Sequence, residues 1–157
     1  MPLSSLRELN EQLRPKQRLI GIDPGSRTIG LALTDVERRL ASPFGELRRG
    51  KLRDIAAALL EIARKEGAGG LVVGLPLSMD GSLGPAAQAA RDWALALAEA
   101  TGLPVALWDE RLSSAAVNRF LVQEADLSRN KRRAAVDRMA AAWMLQSAIE
   151  AIGNFQQ

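Results

Sequence analysis

No cysteine and no histidine occur among the 157 residues of this chain. Disulfides, thiolate zinc sites and cysteine nucleophiles are thereby excluded. A Ser-His-Asp triad cannot be assembled without an imidazole. Any bound metal must be held by oxygen, which favours Mg²⁺ or Mn²⁺ over zinc. Any general acid or base must be Asp, Glu, Lys or an activated water. Aromatic residues are scarce at 4%, so a nucleic-acid partner would be recognised through its backbone or shape rather than by base stacking. No apolar run approaches the ~18–20 residues of a membrane span, and the N-terminus lacks the basic-then-apolar order of a signal peptide. A soluble, cytoplasmic protein is expected.

What is present is globular composition, 47% hydrophobic and 25% charged, at a length that suits one domain with a real core. The formal net charge is +3 and the pI about 9.9. Such a balance fits a nucleic-acid partner without requiring one.

Along the chain, residues 1–17 form a polar N-terminal extension that reads either as a short helix, from the spacing of Leu3, Leu6, Leu9 and Leu13, or as a loose tail. Leu19-Ile20-Gly21-Ile22 reads as a buried strand stopped by Asp23-Pro24-Gly25. Further strands are expected over 29–34 and 41–47. Leu52, Ile55, Ala56, Leu59, Leu60 and Ala63 then follow helical spacing, closed by Gly67, Gly69 and Gly70. A fourth strand is expected over 71–75. Pro85 opens an alanine-rich helix to about Thr101, and a fifth strand covers 105–108. Ser113 is a candidate N-cap for another helix. A basic stretch without regular structure at 129–133 precedes a last helix ending near Gly153. The order βββ-α-β-α-β-α-α implies an α/β fold, a mixed five-stranded sheet flanked by helices in one domain over 18–153.

Three acids stand where chemistry could be built. Strand alternation puts Leu19, Gly21 and Asp23 on one face and Ile20 and Ile22 on the other, so Asp23 leaves the sheet where a crevice would open. Asp-Pro-Gly is also common turn chemistry, and the tripeptide alone favours that turn role. Asp137 heads a helical stripe of Ala141, Met144, Leu145, Ala148 and Ile152. An acid on an apolar stripe is costly unless it is paired or metal-bound, and a favourable helix dipole does not explain that position. Asp109-Glu110-Arg111 follows the fifth strand, where alternation sends Trp108 and Glu110 to one side and Asp109 to the other. Glu110 is the choice for the crevice, although a salt-bridged cluster with Arg111 fits equally well. Together, two strand ends and one helix start can converge on divalent ions that promote phosphodiester cleavage.

The same segments match a known family. Gly21-Ile22-Asp23-Pro24-Gly25-Ser26-Arg27-Thr28-Ile29-Gly30-Leu31-Ala32 resembles the opening motif of the YqgF/RuvX family. Val72-Val73-Gly74-Leu75-Pro76-Leu77-Ser78-Met79-Asp80-Gly81-Ser82 resembles its second motif, Asp109-Glu110-Arg111-Leu112-Ser113-Ser114 its third, and the segment 131–141 its fourth. The resemblance runs in order over residues 18–150. It implies an RNase H-like fold related to the Holliday-junction resolvase RuvC. It also implies a metal-dependent nuclease of pre-16S rRNA 5′-end processing in ribosome biogenesis, with junction resolution or a related DNA nuclease activity as the alternative. The family's acids fall on Asp23, Glu110 and Asp137, which would be both metal ligands and catalytic residues. Arg27-Thr28 stands where the family usually carries Lys-Arg, one positive charge fewer.

Arg129, Lys131, Arg132 and Arg133 cluster beside Asp137, and with Arg27 and Arg111 they are the candidate nucleic-acid contacts. Arg48, Arg49, Lys51 and Arg53 form a second basic cluster, read as solvated surface. Trp93 and Trp143 are expected to pack in the core. Two other classes compete with the nuclease. A nucleotide-binding hairpin of actin-like ATPases resembles the first turn, but needs two such domains. A non-catalytic rRNA-binding module would keep the acids for structure. Monomer and homodimer are both open, and a junction resolvase would need the dimer.

Overall fold

The computed structural model describes residues 3–25, 27–76, 82–109 and 129–155, and within the last segment the side chains of 139–153. Five strands form one sheet in the order β3-β2-β1-β4-β5. They are β1 (Arg18–Pro24), β2 (Thr28–Thr34), β3 (Ala41–Arg48), β4 (Ala68–Leu75) and β5 (Val105–Asp109). β1, β2 and β3 pair antiparallel, whereas β4 and β5 join β1 in parallel. Four described helices flank them: α1 (Leu6–Gln12), α2 (Leu52–Glu66), α3 (Pro85–Thr101) and α4 (Arg129–Phe155). The mixed sheet follows from the sequence order, because hairpins join the first three strands and helical crossovers the last two.

Alternation along the strands divides the core into two layers. Ile20, Ile22, Ile29, Leu31, Leu71 and Val73 face α2 and α3, which bring Ile55, Leu59 and Leu97. Leu19, Ala32, Val72 and Ala106 face α1 and α4, which bring Leu9, Met144 and Leu145. The inner sheet strands are apolar on both faces, as strands covered on both sides must be.

Several local expectations are changed by packing. Gly67 alone ends α2, with φ 68° and its N–H on the Ala63 carbonyl. Gly69 and Gly70 belong to β4 instead. A Cβ on Gly70 would lie 2.6 Å from Leu9 Cδ1, so that glycine is where α1 seats against the sheet. The stretch 129–133 is helical rather than irregular, forming the first turn and more of α4. Its three arginines and lysine are good helix formers, so a dense charge does not by itself signal a loop. Trp143 is 39% exposed rather than packed. It lies off the stripe of Ala141, Met144, Leu145 and Ala148 that faces the sheet. Trp93 does pack against the core. The helix expected from Ser113 lies outside the described residues.

The N-terminal segment has a definite place. Ser4 donates its N–H to the Val105 carbonyl (2.8 Å), extending the edge at β5 by one bridge. Ser5 and Glu8 then form a capping box, with 3.0 and 3.1 Å hydrogen bonds in both directions. Leu6 and Leu9 are buried among the α4 residues. The Ser5 amide and then its hydroxyl hold the Glu8 carboxyl below its ordinary value. A depressed carboxyl favours the fold above its unfolded pKa, and the contribution is lost as pH falls through the folded value. Replacing Ser5 by Ala is expected to cost about 1 kcal/mol, measured by chemical denaturation, and to weaken that acid-side dependence.

Candidate active site at the edge of the sheet

The C-terminal ends of the parallel strands β1, β4 and β5 meet one edge of the sheet. Ile22 pairs with Val73 and Val73 with Leu107, so Asp23 stands one residue beyond a common level. Leu75 pairs with Asp109 a further residue along. Ligand crevices of open α/β sheets lie outside such strand ends. β1 runs through Asp23 to Pro24 because both residues pair with β2, opposite Gly30 and Ile29. The turn closes tightly, with the Gly25 N–H on the Asp23 carbonyl at 3.0 Å.

Asp23 is half-buried. Leu19 and Gly21 face α4, and alternation gives Asp23 that same face. Gly21 is the point where helix and strand touch: a Cβ there would sit 2.8 Å from Leu145 Cβ. Two further ties hold α4. The Trp108 indole N–H donates to Ser147 Oγ (3.0 Å), and the Ala41 N–H donates to Gln146 Oε1 (2.8 Å). The Gln146 amide also reaches the Arg39 carbonyl in the β2–β3 hairpin.

These ties orient the helix. Ile149, Ile152 and Gly153 lie beside Glu37 and Arg38 at the hairpin end of the sheet, opposite the edge that holds Asp23. Toward its N-terminus α4 therefore runs to the Asp23 edge, and Asp137 is on that part of it. Asp137 stands four residues before Ala141, the first fully buried residue of the stripe. From Leu145 to Asp137 is about 12 Å of helix, and from Gly21 to Asp23 about 7 Å of strand.

Arg27 is exposed in the β1–β2 turn. Arg129, Lys131, Arg132 and Arg133 lie in the first turns of α4, and their side chains, like that of Asp137, are outside the described set. Glu110, Arg111 and residues 77–81 of the second motif also lie outside the described residues. Among the described residues, no three acids cluster as a ready-made metal site. The donors this chain can offer a metal are oxygens only, since it has no His or Cys, and that donor chemistry suits Mg²⁺ or Mn²⁺.

Sequence reasoning missed one participant. Arg49 donates from Nη1 to the Gly25 carbonyl (2.7 Å) and from its backbone N–H to the Arg27 carbonyl (3.0 Å). It therefore braces the turn that follows Asp23, across a sequence gap no local pattern could bridge.

Comparison with known proteins follows the same outline. The sequence profile of RuvX, described as a Holliday junction resolvase, matches residues 17–151. The chain belongs to the RuvX family. A protein of Gluconacetobacter diazotrophicus named as a pre-16S rRNA nuclease is 61% identical over 151 residues, covering 96% of this chain and 98% of the relative. A protein of the same name from Acidiphilium cryptum is 62% identical over 154 residues, covering 98% and 97%. Among solved structures, T. thermophilus RuvC in complex with a Holliday junction substrate superposes with a TM-score of 0.53 at 18% identity, covering 87% of this chain and 96% of that one. The RuvX-family chain thus has the RuvC-like, RNase H-like fold, a mixed five-stranded sheet between helices. Among the described residues no helix is long and apolar enough to cross a membrane.

Proposed function

We propose that this RuvX-family chain is a nuclease that hydrolyses phosphodiester bonds with a divalent metal, Mg²⁺ or Mn²⁺, and that its substrate is pre-16S rRNA. The observation that carries this reading is the direction of α4, which runs from its seat on Gly21 toward the sheet edge holding Asp23. Strand end and helix start then approach one another, as a carboxylate site needs. The family relationship and the names of the 61% and 62% identical relatives support the reaction and the rRNA substrate. Residues 18–153 would be the nuclease domain and 1–17 an extension docked on it.

Asp23, Glu110 and Asp137 are the residues that would hold the metal. Trp108 faces α4, and continued alternation favours Glu110 over Asp109 as the acid sharing Asp23's face. A divalent ion there supplies activation of the attacking water and charge compensation for the leaving oxygen. In the hydrolysis, water adds to phosphorus, the P–O bond to the leaving oxygen breaks, and the proton released from the water leaves the product with one free hydroxyl and one phosphate terminus. The carboxylates would hold the ion, while Arg27, Arg111, Arg129, Lys131, Arg132 and Arg133 would attract the nucleic-acid backbone.

The test is a Mn²⁺-dependent cleavage panel of pre-16S RNA, single-stranded DNA and four-way DNA junctions. Cleavage near the 5′ end of the mature 16S sequence is expected, and it should vanish with EDTA. Selective cutting of the junction would instead favour a resolvase. Binding of RNA without cleavage under both ions would sink the nuclease reading in favour of a binding module.

A further inference from the structure

The run Leu47-Arg48-Arg49-Gly50-Lys51 has the composition of a solvated basic surface. Both arginines border the hollow that Lys51, Asp54 and Ile55 line at the start of α2, but strand register assigns them to opposite faces of the sheet. Register pairs Asp23 with Gly30 and Gly30 with Glu46, while Thr28 pairs with Arg48. Paired residues share a face, so Arg48 lies on the α4 face of the sheet with Asp23, at the same edge. Leu47, paired with Ile29, packs into the opposite layer. Arg49 follows Leu47 by two residues and turns to that layer too. Its guanidinium lies 5.6 Å from the ring centroid of Trp93 on α3 while Nη1 holds the Gly25 carbonyl.

Arg48 and Arg27 are both exposed, and no ion pair among the described residues engages either. Glu46 is the acid nearest them along β3 and Asp54 the acid in the first turn of α2. An arginine left in water without a carboxylate partner, two strands from the half-buried Asp23 on the same face, suits a phosphate of an extended polyanion. Lys51 and Arg53 belong to the start of α2, which packs on the other face.

We propose that Arg48 binds a backbone phosphate of the nucleic acid next to the scissile one, and that Arg49 is a positioning residue that holds the Asp23 turn against β3 and Trp93. This rests on the nuclease reading above. It adds β3 to an interface otherwise made of the β1–β2 turn and α4, and it separates adjacent arginines into a charge role and a geometric one.

The experiment measures binding of fluorescein-labelled single-stranded RNA, and DNA of the same sequence, by anisotropy in EDTA over a series of salt concentrations. Arg48→Ala is expected to weaken binding and to lower the slope of log K against log salt by about 0.7, the value for one phosphate on a single strand. Arg48→Lys should restore the slope, because a point charge suffices. Arg53→Ala, an equal charge change on the other layer, should keep the wild-type slope. Arg49→Lys should keep the slope but lower kcat in the Mn²⁺ cleavage assay with little change in KM, because lysine keeps the charge and loses the brace. Thermal unfolding checks that each variant folds. An Arg48→Ala slope equal to wild type, or an equal loss in Arg53→Ala, overturns the phosphate contact. An Arg49→Lys enzyme with wild-type kcat overturns the brace. A wild-type chain that binds neither probe overturns this inference and the nuclease reading together; intact binding with unchanged slopes overturns this one alone.

Discussion

Asp23→Asn should leave the protein folded and remove its Mn²⁺-dependent cleavage. The substitution is nearly isosteric, and Asp23 sits half-buried at a strand end rather than in either core layer. Its β1–β2 pairing with Gly30 is a backbone matter and survives the change. What is lost is the negative charge that a hard cation requires of an oxygen ligand. Loss of an outer partner of a metal ligand typically costs about 10–100-fold, and loss of the ligand charge itself should exceed that. The check is initial rate on the cleaved substrate of the panel, beside circular dichroism and a melting curve. A folded Asn variant with wild-type activity would refute the role of Asp23. Nucleic-acid binding in EDTA should be undiminished, since removing a carboxylate takes away repulsion of phosphate.

The second large effect is expected from Gly21→Ala. A methyl group there meets Leu145 Cβ at 2.8 Å, closer than side-chain carbons tolerate. Leu145 is fully buried among Met144, Ala148 and Leu19, so it cannot swing aside into solvent. The helix must lift off β1 or the strand must bend. Overpacking of this kind costs about 1–3 kcal/mol, or a melting temperature lower by about 2–4 °C per kcal/mol for a chain of this size. Activity should fall further than stability alone accounts for, because α4 carries Asp137 and Gly21 lies two residues from Asp23. Measured well below the melting point, a reduced kcat in a fully folded variant would reveal displacement of the helix. An unchanged melting temperature and rate would mean that α4 does not seat on Gly21. Leu145→Ala in the same background should not restore the fit, since the Cβ that meets the methyl at 2.8 Å remains and only the Cδ2 and Cγ contacts at 3.1 and 3.3 Å are removed.

Much of this architecture was legible before any coordinates. Strand alternation in Leu19 to Ile22 correctly separated the two core layers, and the spacing Ala141, Met144, Leu145, Ala148 correctly marked the buried face of α4. Local rules work there because each segment's period reports which side must leave water. They failed where a neighbour distant in sequence set the outcome. Gly69 and Gly70 looked like helix stops, yet they are strand residues made small by Gln17 and Leu9. Residues 129–133 are helical although their charge density suggests a loop, because arginine and lysine are themselves good helix formers.

By itself, the sequence determined the donor chemistry available, oxygen ligands only, and an α/β fold with a mixed five-stranded sheet, and it offered Asp23, Glu110 and Asp137 as candidate acids within the span that matches the RuvX family. Composition and short-range period suffice for those, since they depend on what each residue is and on its immediate neighbours. Only the tertiary structure decided that α4 rests on Gly21, that Arg49 braces the Asp23 turn against Trp93, and that Arg48 shares Asp23's face. Those facts come from register and close approach between elements far apart in the chain, where a one-residue slip would send every side chain to the other face.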